Sequence, residues 1–246
     1  IWSNSPVCEN GTISLFSSST SFGTYSWIGP AGFTSAQAEP TISNAAAIHE
    51  GAYILQMTAS GCVSQPDTVW VNVTPLPVVS PSNNGPLCVG ENLQLSSNFP
   101  NATSYAWTGP NGYAAAIQNP TILGVNGGDQ GNYTLIVTAN GCASLPGTTQ
   151  LIVNANPVVT ATSDGWICNG QSIELLSTGL TTAVWSPSAL NGNAVNVSPN
   201  VTTTYTVSGT DNNGCAGMAS TEVVDYSPAV NVTSVTPNPL NSADST

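Results

Sequence analysis

Lysine and arginine are absent from the chain, which carries 12 Asp plus Glu and a single histidine. Without a permanent side-chain cation there is nothing to grip phosphate or an anionic headgroup, which excludes nucleic acid and acidic membrane surfaces as partners. Two chemical consequences follow. Trypsin-like proteases have no cleavage site, and lysine–asparagine isopeptide bonds cannot form. Charged residues make up only 5% of the chain, so solubility falls to Ser, Thr and Asn, whose hydration depends little on pH.

Long apolar runs are lacking too. None approaches the roughly 18 residues needed to cross a bilayer as a helix, and nothing resembles a signal peptide. Because the chain begins at Ile1, the expectation is a mature or excerpted protein. Catalytic machinery is equally scarce. The one histidine, His49, corresponds to Asp129 in the second copy of the repeat described below, so no Ser-His-Asp set is built into the pattern. The carboxylates, Glu9, Glu39, Glu50, Asp67 and Glu91 among them, are scattered, usually one to a loop, whereas a glycosidase needs two that face each other. Asp211, Asn212 and Asn213 fall short of a calcium loop and read as a hairpin turn. No cofactor is expected, and the chain reads as a non-enzyme.

What is present is cysteine, six in all, with no Cys-x-x-Cys spacing to suggest zinc. In a chain rich in Thr, Gly and Pro this favours disulfides and an oxidising, extracellular setting. The cysteines belong to a repeat. Cys8, Trp27, Gly29-Pro30, Pro40, Gly51, Tyr53 and Gly61-Cys62 recur, each 80 residues on, as Cys88, Trp107, Gly109-Pro110, Pro120, Gly131, Tyr133 and Gly141-Cys142. A third, shortened copy holds Cys168, Trp185, Tyr205 and Gly214-Cys215. Linkers at Pro75-Leu76-Pro77 and Asn156-Pro157 divide the chain into residues 1–75, 76–155 and 156–227, with 228–246 as an extra strand or the start of another domain.

Each copy contains short alternating runs between turn signals. Ile13 to Phe16, Asn92 to Leu95 and Ser172 to Leu175 read as one half-buried strand. The next carries Trp27, Trp107 or Trp185, expected to fill the space between two sheets. A longer strand starting at Gly51, Gly131 or Thr204 carries Tyr53, Tyr133 or Tyr205 at a tyrosine-corner position. Asn140-Gly141 turns the chain tightly into a final strand, Thr148 to Val153, whose copy is Thr68 to Val73. Ala45 to Ile48 and Ala114 to Ile117 are expected to form a helical turn, loop or strand. The fold expected is all-β: three tandem immunoglobulin-like sandwiches in an elongated array.

The combined pattern Pro86-Leu87-Cys88-Val89-Gly90, Tyr105-x-Trp107-Thr108-Gly109-Pro110, Gly131-x-Tyr133-x-Leu135 and Gly141-Cys142 resembles the Ig-like repeats of large secreted and surface proteins of Bacteroidota. The third copy, with Trp185-Ser186-Pro187 and Thr204-Tyr205-Thr206-Val207, is similar to a companion subtype. The resemblance implies a sandwich fold and export by the type IX route, and no chemistry. Asp67-Thr68-Val69 resembles the O-glycosylation acceptor of the same phylum, making Thr68 a candidate glycan site. Trp2, Trp70 and Trp166 lie outside the inter-sheet Trp positions and are candidates for carbohydrate contact or for burial at domain junctions.

Two disulfide schemes are open. Pairing within repeats joins Cys8 to Cys62, Cys88 to Cys142 and Cys168 to Cys215. In a standard sandwich, however, those partners lie at opposite ends, on the order of 30–45 Å apart at ~3.3 Å per residue, far beyond disulfide reach. The favoured scheme crosses the junctions, Cys8 to Cys142 and Cys88 to Cys215, leaving Cys62 and Cys168 for neighbouring copies. A second offset points the same way. Pro77-Val78-Val79 and Pro157-Val158-Val159 each begin an expected first strand 11 residues before a first cysteine, and domain one lacks that segment. Pro228-Ala229-Val230-Asn231-Val232 looks like such a strand with no sandwich after it. Either the chain is cut from a longer array, or Pro228, Val230 and Val232 complete another copy by strand addition. The function classes that remain are a structural filament or stalk, a carbohydrate-binding adhesin whose partner is a surface glycan, and a spacer in a larger secreted enzyme.

Overall fold

The computed structural model describes residues 1–18, 23–168 and 170–226. It is all-β, with short 3-10 turns, and among the described residues no helix is long and apolar enough to cross a membrane. Compactness divides the chain into one unit over Ile1–Val153 and a second over Asn154–Thr246.

The first unit contains two sandwiches with separate cores. In the first, Trp2–Ser3, Ile13–Phe16 and Thr41–Ile42 form one antiparallel sheet. The facing sheet runs Thr34–Ser35, Thr24–Ile28, Gly51–Ala59, with Cys62–Val63 and Asp67–Val71 both paired to the long strand. Strict alternation puts Ile13, Leu15, Tyr53, Leu55 and Val71 inside with Trp27. The second sandwich repeats the same ladders 80 residues on, around Leu93, Leu95, Trp107, Tyr133, Leu135 and Leu151. In the second unit Thr160–Ser163, Ile173–Thr178 and Ala194–Val197 face a sheet built on Thr182–Ser186, Thr203–Thr210 and Ala216–Asp225, with Trp185 and Tyr205 in the core.

The repeated motif residues turn out to meet one another. Trp27, Trp107 and Trp185 are at most 1% exposed. Their indole N–H groups donate to the carbonyls of Gln37, Gln118 and Gly192, so no buried donor is stranded. Each such indole, burying roughly 200 Å² at ~25 cal/mol per Å², contributes roughly 5 kcal/mol before entropy is counted. The Tyr53 hydroxyl donates to His49 O and that of Tyr133 to Asp129 O, each at 2.9 Å. Gly29 is glycine because a Cβ there would sit 2.4 Å from the Tyr53 ring; at Gly109 the matching approach to Tyr133 is 2.6 Å. Gly51 has φ +138°, and a Cβ on it would press on Pro30 at 2.9 Å. Gly-Pro and Gly-x-Tyr are thus the two halves of one contact.

Three expectations need correction. Pro77-Val78-Val79 forms no ladder; the first paired strand of the second sandwich is Ser82–Asn83. Its counterpart in the first sandwich, Trp2–Ser3, is present and paired to Phe16 and Leu15, so that domain has its first strand. The proline-led segment instead packs as irregular chain, because proline withholds the N–H that a ladder needs. The final strand is also interrupted: Asp67–Val71 gives way to Val73–Thr74, which pairs parallel with Val7–Cys8. The two alanine runs, left open between helical turn, loop and strand, take different forms, one leading into a 3-10 turn at Ala47–His49 and the other forming strand Ala114–Ala115. The strand-donor residues Pro228, Val230 and Val232 lie outside the described residues.

Candidate functional site

The feature that sets the chain apart is where its thiols stand. Cys142 follows a tight turn, Asn140-Gly141, with both residues at positive φ (52° and 79°), and pairs with Ala139 across it. Ser144 bolts this tip down: its Oγ accepts from Val137 N–H and its own N–H donates to Val137 O. Cys8 ends the short strand that runs parallel to Val73–Thr74. The Cys8–Cys142 disulfide therefore joins the first sandwich to the second, with Cα atoms 5.6 Å apart. Beside it lies a recess of about 290 Å³ lined by Glu9, Asn10, Leu76, Pro77, Val78 and Leu145.

Equivalent positions differ in state. Cys62 sits on the same kind of turn, Ser60-Gly61, with Ser64 making the same bonds to Met57, yet its thiol is free and exposed where Cys142 is 2% exposed. Cys88 and Cys215 are disulfide-bonded. Cys168, the first cysteine of the third copy, is free and exposed. Cys215 directly follows a hairpin turn organised by Asp211, whose Oδ1 accepts from both Asn213 N–H and Cys215 N–H. That carboxylate is spent on the turn, and among the described residues no three His, Cys, Asp or Glu side chains gather around a common point.

His49 has a local role. Its Nδ1 accepts from Ala46 N–H, and in the second repeat the Asp129 carboxylate accepts from Asn126 N–H. Histidine and aspartate are exchanged because either closes the turn that feeds the tyrosine corner. Thr68 is exposed on its strand. Next to it, Asp67 is held below the usual carboxylate range by the terminal ammonium of Ile1 at 3.0 Å and by Thr68 N–H. Burial raises Tyr53 and Tyr113, and pushes Tyr133 up to about 12 with help from the Asp129 charge and Tyr113.

The exposed aromatics are not all alike. Trp2 stacks on Phe16 at 5.4 Å, and Trp166 is 65% exposed. Trp70, 61% exposed, donates its indole N–H to Asn72 Oδ1 and shares the outer face of the five-stranded sheet with Ile54 and Ile28. The register identifies their counterparts as Gln150, Thr134 and Thr108 in the second sandwich, and Glu222, Thr206 and Ser186 in the third. An apolar trio on that face thus belongs to the first sandwich alone. Sequence reasoning missed the two isoleucines, which comparing equivalent positions between repeats could have revealed.

No known family profile matches the chain, and no curated protein matches it. Solved structures do. The three N-terminal domains of the highly immunogenic outer capsid protein of bacteriophage RB49 align with TM-score 0.41 and 14% identity over 89% of this chain and 95% of that one. The N-terminal eight Ig domains of Down syndrome cell adhesion molecule align with TM-score 0.34 and 14% identity over 90% of this chain. Sidekick-1 immunoglobulin domains 1–5 align with TM-score 0.34 and 15% identity over 89%. The chain spans 34% and 58% of the length of the last two. All three consist of tandem domains.

Proposed function

We propose that the chain is a non-catalytic building block of an extracellular filament or stalk, a secreted array of the Bacteroidota Ig-like type, joined end to end through cysteine. The observation that carries this reading is the contrast between equivalent hairpin tips: Cys142 buried and bonded to Cys8, Cys62 exposed and free. The rule is that the first cysteine of one repeat bonds the second cysteine of the next. It uses four of the six and leaves Cys62 and Cys168, one complementary pair, for a neighbouring copy or a further repeat. In a chain without lysine or arginine, covalent bridges stand in for ionic contacts.

The test is oxidation of the purified chain followed by non-reducing electrophoresis. A ladder of multimers is expected from the native sequence, with dimers at most from Cys62→Ser or Cys168→Ser and monomer from the double variant. A ladder that survives the double substitution contradicts the proposal. Glycan on Thr68 belongs to the same extracellular reading, and intact-mass measurement of native material before and after Thr68→Ala decides it.

A second reading is favoured by the Ile28, Ile54 and Trp70 face, whose loss in the other sandwiches is what a single adhesive patch on a stalk requires. The indole offers an apolar plane to a pyranose ring while its N–H is already held by Asn72. Glycan-array binding abolished by Trp70→Ala, with unchanged melting temperature, supports adhesion. Identical binding by the variant removes it.

A further inference from the structure

The recess at the joint of the first two sandwiches holds an acid that the chain itself does not use. Other carboxylates are either committed or in water. Glu50, Glu91, Asp129 and Asp211 each accept a hydrogen bond from a backbone N–H, while Glu39, Asp164, Glu174 and Glu222 are exposed. Glu9 is neither. It is half-buried, it lines the recess, and its carboxylate has no hydrogen-bond or ionic partner among the described residues. Its backbone is pinned, because Glu9 N–H donates to Thr74 O and Asn10 N–H donates to Ala45 O, each at 2.8 Å. A carboxylate drawn partly out of water without a partner is unfavourable, and the fixed backbone keeps it in the wall of the recess.

The rest of the wall is aliphatic. Leu145 and Val78 are 68% and 80% exposed, and Leu76 lies with them. Apolar side chains gathered in a recess yet open to water mark a contact surface rather than a core. The disulfide sets their place: Cys8 directly precedes Glu9, and Cys142 stands three residues before Leu145 on the tip that Ser144 fastens. The combination is confined to this joint. Eighty residues on, Glu9 and Leu76 are matched by Val89 and Asn156, and the first sandwich carries Gln65 where the second has Leu145.

We propose that this recess docks a lysine side chain of a partner protein, its ammonium on the Glu9 carboxylate and its four-carbon stem along Leu76, Val78 and Leu145. Charge decides the occupant. The sequence has a formal net charge of -12 and no Lys or Arg, so a second copy brings no side-chain cation and the notch serves a different protein. Lysine suits it better than arginine. Aliphatic walls cover a methylene stem, whereas the residues lining the recess offer a guanidinium neither an aromatic face nor a second carboxylate. The Asn10 side-chain carbonyl, also without a partner among the described residues, accepts a second ammonium proton. The proposal is independent of end-to-end assembly, which uses the free thiols.

The experiment titrates the full, oxidised chain with the acetylated, amidated pentapeptide Ala-Leu-Lys-Leu-Ala, followed by backbone amide NMR and by carbodiimide coupling. Coupling joins a carboxylate to a touching amine as an amide while the carbodiimide takes up the water released, and the chain has no lysine of its own to compete. Shifts are expected at residues 9–10, 76–78 and 145, with coupling at Glu9 about tenfold above that at Glu39 or Glu174, as one charged contact supplies. Glu9→Gln and Leu145→Gln should each weaken binding by about tenfold at unchanged melting temperature, and about 1 M salt should weaken it several-fold. Coupling spread evenly over the exposed carboxylates, or binding untouched by Glu9→Gln, overturns the proposal. Equal binding of n-butylamine, which marks a pocket for a small amine, or of the same peptide with arginine in place of lysine, overturns it as well.

Discussion

At the scale of single residues, the motif is a list of groups that touch. Gly109→Ala would drive a methyl group into the buried Tyr133 ring, and an expected loss of about 1–3 kcal/mol follows from overpacking a site that has no room to yield. Tyr133→Phe should cost about 1 kcal/mol through the lost bond to Asp129 O. Urea unfolding measures both. Tyr133 also sets a pH dependence. Its folded value of about 12 lies above the ordinary value of 10.0, so the unfolded chain releases the proton first. Stability is therefore full below about pH 10 and declines as the pH rises from about 10 to about 12. Urea midpoints across that range, with thiols blocked by iodoacetamide, check the slope, which Tyr133→Phe should flatten. The positions of the core Trp and corner Tyr were legible in the sequence, but the contact of Gly109 with the Tyr133 ring was not, because it joins residues of different strands. The His49 and Asp129 exchange was legible only as evidence against catalysis, since its role in closing a turn depends on coordinates.

At the scale of elements, strands with strict alternation were readable from residue order: Ile13–Phe16, Leu93–Ser96 and Gly131–Ala139 bury every second side chain. The failures occurred where backbone hydrogen bonding, not side-chain pattern, decides. Pro77-Val78-Val79 has strand-like composition, but proline and the tight approach of Val79 to Gly147 leave it as irregular chain packed on the core. The parallel pairing of Val7–Cys8 with Val73–Thr74 has no period of its own in two residues, and it is this pairing that places Cys8 for its bridge. Cys142→Ser should lower the unfolding free energy of the N-terminal pair of sandwiches by roughly 2–4 kcal/mol. Calorimetry with and without reductant tests this; the variant's melting temperature should no longer respond to reductant at that transition.

At the scale of the whole molecule, three separate hydrophobic cores carry the same plan, so a destabilising change in one should leave the unfolding of the others nearly intact. Trp107→Ala is expected to cost about 3–5 kcal/mol and to lower one calorimetric transition only. The proposed function draws on two features, the exposed hairpin tip and one sheet face. The bonded tip at Cys142 and the free tip at Cys62 are the same structure in two states. The sequence spacing made the cysteine arithmetic visible, but not the Ile28, Ile54 and Trp70 face, because that depends on which side of a sheet is covered.

Peptide mapping of assembled material under non-reducing conditions, with chymotrypsin because trypsin has no site, tests the central claim most directly. Linked fragments joining Cys8 with Cys142, Cys88 with Cys215, and Cys62 with Cys168 of another copy are the predicted result. Fragments joining Cys8 with Cys62, or Cys62 and Cys168 recovered only as free thiols from intact filaments, would contradict it.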